Sequence, residues 1–156
     1  MEEFGINIFE SINFYERYKS LSDKTRNNQR RLEKTDKKQV LAILEKFDYK
    51  VKYVSKGNFY KIVDSLNNWT FNIHFSLKYG LVEIILGCKN NISEKFIGGP
   101  SCVICEDIEY SKNIKSEELI KNPSFDNYET LKEIFKEALS LYEGMKKEVL
   151  KLSHPA

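Results

Sequence analysis

His74 and Glu83 are the residues best placed to do chemistry in this chain of 156 residues. Each belongs to a stretch in which large and small side chains alternate. Trp69, Phe71, Ile73, Phe75 and Leu77 are interleaved with Thr70, Asn72, His74 and Ser76. After Lys78-Tyr79-Gly80 the apolar set is Val82, Ile84, Leu86 and Cys88. A period of two makes strands, and paired strands must turn their apolar sets to the same face. Matching those sets puts Phe75 opposite Val82, Ile73 opposite Ile84, Phe71 opposite Leu86 and Trp69 opposite Cys88, around a loop from Leu77 to Gly80. The same register sets His74 against Glu83 on the polar face. A histidine–carboxylate couple can act as a general base. No nucleophile, second acid or metal ligand is tied to this one, so a solvated cross-strand pair, or a recognition contact on an open face, is the better reading. The other histidine is His154, near the C-terminus.

Cys102-Val103-Ile104-Cys105 has the spacing of a redox or metal motif, and Cys88 with His74 would complete four zinc ligands on paper. Val and Ile between the thiols favour extended backbone, on which residues three apart point to opposite faces. Cys88 and His74 also fall on opposite faces of their hairpin. Buried structural thiols are therefore expected, with no metal and no cofactor. Gly98-Gly99-Pro100-Ser101 is glycine-rich, but no helix signal follows to aim amides at a phosphate. It reads as a turn.

Charge is unevenly spread, although the net value is only +2. Lys24 to Lys38 carries seven Lys and Arg against Glu33 and Asp36, a local +5. Glu94 to Glu129 carries eight acids against Lys95, Lys112, Lys115 and Lys121, a local −4. The basic stretch Arg26, Arg30, Arg31, Lys34, Lys37 and Lys38 lacks the aromatic residues that readers of single-stranded nucleic acid place among their charges. Nucleic acid is thus a poor expectation. Glu106, Asp107 and Glu109, with Glu117 and Glu118 beyond, form the opposite patch. Such acids protect an edge strand from pairing, or dock a basic protein.

The elements that hold these residues follow from periodicity. Phe4, Ile8, Ile12 and Tyr15 predict one helix over residues 2–21, followed from Ser22 to Lys34 by a polar loop or frayed helix end. Asp36 with Gln39 marks the start of a second helix, with Val40, Leu41, Ile43, Leu44 and Phe47 on its buried face. Two strands then follow, one begun by Val51 and Tyr53 and closed by Lys56 on Phe59 around Gly57-Asn58, the other Phe59–Leu66, closed on Trp69 around Asn67-Asn68. These closures align Tyr53, Ile62, Ile73 and Ile84 in one row across four strands. A fifth strand is expected around Cys102 to Cys105. Asp126 with Glu129 begins a long helix in which Tyr128, Leu131, Phe135, Ala138, Tyr142, Met145, Val149 and Leu152 recur every three or four residues. At about 40 Å it should overhang strands of about 26 Å. The overhanging end is left for the N-terminal helix, or for a second copy of the chain in a homodimer, to cover.

Length suits one domain spanning residues 1–156. With 41% hydrophobic and 13% aromatic residues, a packed core is expected. No apolar run approaches the roughly 20 residues of a membrane span. Met1-Glu2-Glu3-Phe4 does not open like a secretory signal, and three cysteines make no disulfide framework. The expected setting is the cytoplasm.

The tryptophan-led hairpin, Gly98-Gly99-Pro100, an expected acidic strand after it, and Pro123-Ser124-Phe125-Asp126-Asn127-Tyr128 opening a long helix resemble small immunity proteins of bacterial polymorphic toxin systems. The resemblance covers roughly residues 69–152. It implies a cytosolic protein that binds one cognate toxin domain and neutralises it, often by covering the toxin's active site, and it supplies no catalytic residue. The combined expectation is an α+β domain with an antiparallel meander of four to five strands and helices on one face. Its work would be non-enzymatic binding, with Glu106, Asp107, Glu109, Glu117, Glu118, His74 and Glu83 as contact candidates. The alternative of another class is a dimeric secretion-type chaperone. A small hydrolase-like enzyme using His74 and Glu83 comes third.

Overall fold

The computed structural model describes residues 1–26 and 30–152. Its centre is an antiparallel meander in sequence order: β1 (Lys52–Val54), β2 (Phe59–Leu66), β3 (Trp69–Lys78), β4 (Leu81–Asn90) and β5 (Phe96–Pro100). Five helices accompany it: α1 (Glu3–Ser11), α2 (Phe14–Thr25), α3 (Lys37–Glu45), α4 (Ser101–Lys112) and α5 (Tyr128–Leu152). The α+β architecture is the expected one. Among the described residues no helix is long and apolar enough to cross a membrane.

Burial alternates along β2, β3 and β4, so the faces fall as the period of two requires. Tyr60, Ile62, Trp69, Phe71, Ile73, Phe75, Val82, Ile84, Leu86 and Cys88 are buried under the helices. The pairing of β2 with β3 is the expected one, with Leu66 on Trp69, Ile62 on Ile73 and Tyr60 on Phe75. The other two registers each differ from expectation by two residues. Phe75 faces Ile84, Ile73 faces Leu86, Phe71 faces Cys88 and Trp69 faces Asn90, because the hairpin closes in two residues instead of four. Tyr79 and Gly80 are both left-handed, with φ of 56° and 74°, as a tight turn with native twist demands. Conversely β1 closes on β2 through four residues, and Tyr53 faces Tyr60 in place of Ile62. A slip of two keeps every side chain on its own face, which is why the core survives the error.

The helices also depart from expectation. Residues 2–21 form two helices, because Asn13 takes a left-handed conformation, which asparagine tolerates better than most residues. The break folds Phe9 edge-on to Phe14, 5.2 Å between centroids, while Phe14 stacks on the buried Tyr18. From Ser22 a loop or frayed helix end was expected; α2 continues to Thr25 as ordered helix and buries Ser22 and Thr25. Ser22 Oγ donates to Lys121 O at 2.6 Å, and Ser124 Oγ donates to Thr25 O at 2.6 Å. Asn27, Asn28 and Gln29, part of that expected loop, lie outside the described residues. Asp36 caps α3 as anticipated, its side chain accepting from Lys38 N.

The largest correction concerns residues 96–112. The glycine-rich stretch is strand β5, and Cys102–Cys105 lies in α4, which begins directly after Pro100. Where β5 ends opposite Ile85, the segment around Ser124 takes over the edge of β4, with Val82 N donating to Pro123 O and Phe125 N to Gly80 O. The long helix is capped one residue later than expected, by Asn127, whose Oδ1 accepts from Thr130 N at 2.8 Å. Its apolar stripe, from Leu131 through Phe135, Ala138 and Tyr142 to Val149, is buried within the chain. Phe135 meets Phe75 edge-on at 4.8 Å. The longest strands reach about 33 Å against about 37 Å for the helix, so the mismatch in length is smaller than expected.

Candidate functional site

Because every helix packs on one side, the sheet keeps an open face. It is built from Lys52 and Val54 of β1, Phe59, Lys61, Val63 and Ser65 of β2, and Thr70, Asn72, His74, Ser76 and Lys78 of β3. Leu81, Glu83, Ile85, Gly87 and Lys89 of β4 and Phe96, Gly98 and Pro100 of β5 complete it. Cross-strand partners fall into rows: Lys52–Lys61–His74–Ile85–Pro100, then Val63–Asn72–Gly87–Gly98, then Ser65–Thr70–Lys89–Phe96.

Apolar surface is exposed there. Val63 is 45% and Phe96 54% accessible. Phe96 lies across Gly87, where a Cβ would meet its Cζ at 2.7 Å and Ile97 O at 2.4 Å. Gly87 is therefore what allows the aromatic ring to lie against the sheet. Phe59 stacks on His74, 4.7 Å between centroids and 22° between planes. The imidazole Nε2 is buried without a hydrogen-bond partner among the described residues. Burial, and secondarily the charge of Lys61, hold the pKa of His74 below its ordinary 6.5. The ring is neutral at pH 7.

His74 and Glu83 are not partners. His74 faces Ile85, and Glu83 faces Ser76. The two-residue turn separates them, and the general-base couple loses its geometry. Cys102 and Cys105 sit on a helix, against the extended backbone expected. All three thiols are free; Cys88 and Cys105 are buried and Cys102 half-buried. Burial pushes Cys88 up to about 12 and raises both Cys105 and Cys102, so all three are thiols at neutral pH. Among the described residues no group of three His, Cys, Asp or Glu could hold a metal ion. A helix does follow Gly98-Gly99-Pro100, contrary to expectation, but its first residue, Ser101, is buried with Oγ donating to Ile84 O.

The acidic candidates lie on α4 and the loop after it. Glu109 accepts from Tyr15 Oη at 3.0 Å, and burial together with this bond pushes the Tyr15 hydroxyl up to about 12. Asp107 lies 3.2 Å from the Met1 amine, and Glu118 pairs with Arg26 at 3.4 Å. Glu106 and Glu117 are exposed, beside the exposed Val103, Tyr110, Ile114 and Leu119. The basic stretch is dispersed: Arg26 also binds Asp23, the Arg31 stem packs beside Gly80, and Lys37 sits over the Tyr53 ring at 4.3 Å. His154 lies outside the described residues.

One polar cluster escaped the sequence reading. Tyr142 Oη and Lys146 Nζ donate to Asp64 Oδ2 at 2.7 and 3.0 Å; Lys146 also reaches Glu143, which accepts from Tyr49 Oη at 2.6 Å. Its signal was Asp64 itself, an acid that follows Tyr60 and Ile62 on the apolar face of β2. Burial first, then these bonds, raise the Tyr142 and Tyr49 hydroxyls well above their ordinary range. Such groups are hydrogen-bond donors that pin α5 to the sheet. No family model, no curated protein and no solved structure matches the chain.

Proposed function

We propose that this chain is a non-enzymatic binding protein of the immunity type, which acts in the cytoplasm by gripping the domain of one cognate bacterial toxin and covering it. The observation that carries the reading is the open face of the sheet. A five-stranded sheet with helices on one side leaves its other side to solvent, and here that side exposes Phe96 and Val63 around half-buried Phe59 and Ile85. Exposed apolar side chains on a rigid platform are the usual mark of a surface that docks a partner. The likeness of residues 69–152 to immunity proteins names the class of partner. Rigid strands also suit the task, since a pre-formed surface loses little entropy on binding.

Co-expression with the C-terminal domain of the protein encoded by the adjacent gene tests the reading. A stable complex, and survival of cells that the domain alone kills, is the expected outcome. Separate elution of the two proteins with no protection would refute it.

A further inference from the structure

We infer that the open face of the sheet is the surface that grips the partner, and that the partner presents carboxylates around an apolar side chain. This rests on the binding role proposed above and assigns the contact to the sheet, away from the acidic residues of α4.

Charge selects the partner's chemistry. The open face carries Lys52, Lys61, Lys78 and Lys89 against the single carboxylate Glu83, a difference of +3. His74 adds nothing to this at pH 7, being neutral. On the pleated lattice Lys61 and Lys89 stand two strands and four residues apart, about 16 Å. Between them Asn72 forms a low floor, walled by Val63, Ile85 and the Phe96 ring, which itself covers Gly87. An apolar side chain seated on that floor would place flanking carboxylates within reach of both lysines. Each lysine brings a flexible point charge that adapts to a carboxylate without demanding a bidentate geometry. Opposed fields of this kind speed encounter and exclude partners of the wrong sign.

Phosphates would also be drawn to these lysines, but a strand of bases needs a run of free aromatic platforms. Here Phe59 is turned onto His74, and Phe96 offers one ring face, the other being laid against Gly87. The acids of α4 and the loop after it are the weaker surface, since Glu109, Asp107 and Glu118 are already engaged by Tyr15, the Met1 amine and Arg26.

The test measures the affinity of the full chain for the C-terminal domain encoded by the adjacent gene, by calorimetry, in two double variants. Lys61→Glu with Lys89→Glu should weaken binding at least about tenfold, with the thermal midpoint unchanged. Glu106→Lys with Glu117→Lys should change it by less than about twofold. Loss in the second variant and retention in the first would overturn the inference while leaving the binding role intact. If the unaltered chain binds no such domain, the binding role itself fails and the inference with it. Tight capture of an oligothymidylate by the unaltered chain, abolished by the lysine reversals, would reassign the face to nucleic acid and likewise overturn it.

Discussion

The imidazole of His74 lies nearly parallel to the ring of Phe59, 4.7 Å away, on adjacent strands of the open sheet face. The contact covers one face of the imidazole with an apolar ring, and Nε2 is buried without a hydrogen-bond partner among the described residues. A half-buried imidazole with Nε2 shut off from solvent is costly to protonate, so this pair makes stability depend on pH.

The sign follows from linkage. The folded pKa lies below the unfolded 6.5, so nothing changes above about pH 7. As pH falls through 6.5 the unfolded chain takes up a proton that the folded ring refuses, and stability is lost until the folded pKa is reached. Urea unfolding between pH 7.5 and 5 should therefore show the native chain losing stability relative to His74→Gln. Parallel curves would contradict the sealed ring.

Gly87→Ala should be disproportionately harmful for so small a change. Its Cβ would lie 2.4 Å from Ile97 O, a backbone atom that cannot step aside without moving β5, and 2.7 Å from Phe96. A cost of about 2 kcal/mol in chemical denaturation is expected, accompanied by weaker partner binding as Phe96 is lifted. Wild-type stability in this variant would show that β5 is not held so closely.

Tyr142→Phe removes one donor from Asp64 and leaves Lys146 in place, so a loss of about 1 kcal/mol is expected. Asp64→Ala leaves the Tyr142 hydroxyl and the largely covered Lys146 ammonium without this acceptor, and should cost about 2 kcal/mol, moderated by the partial exposure of Asp64. Equal losses in the two variants would show that the Lys146 contact with Asp64 adds nothing beyond the Tyr142 hydrogen bond.

The faces of the sheet were legible because alternation is a property of each strand alone: Ile62, Ile73 and Ile84 do share one side. Register was not, because it depends on turn geometry. Gly80 announced a left-handed residue, but Tyr79 gave no sign that it would join it at φ 56° and shorten the loop to two. The pairing of His74 with Glu83 was lost with that slip. Cys102-Val103-Ile104-Cys105 looked extended through its β-branched pair, yet Ile104, Cys105 and Ile108 pack as a helical stripe, and burial prevails over weak local preference. An open face was foreseen only around His74 and Glu83; its apolar members, Phe59, Val63, Ile85 and Phe96, gave no signal because they stand singly among polar neighbours on three strands. Only the assembled sheet brings them together.

Lysine footprinting tests the central claim most directly. Reductive methylation of the free chain and of its complex, read by mass spectrometry, should show Lys52, Lys61 and Lys89 protected by the partner while Lys112, Lys115 and Lys121, beside the acidic segment, react as before. Protection of that second group with full reactivity of the sheet lysines would contradict the account.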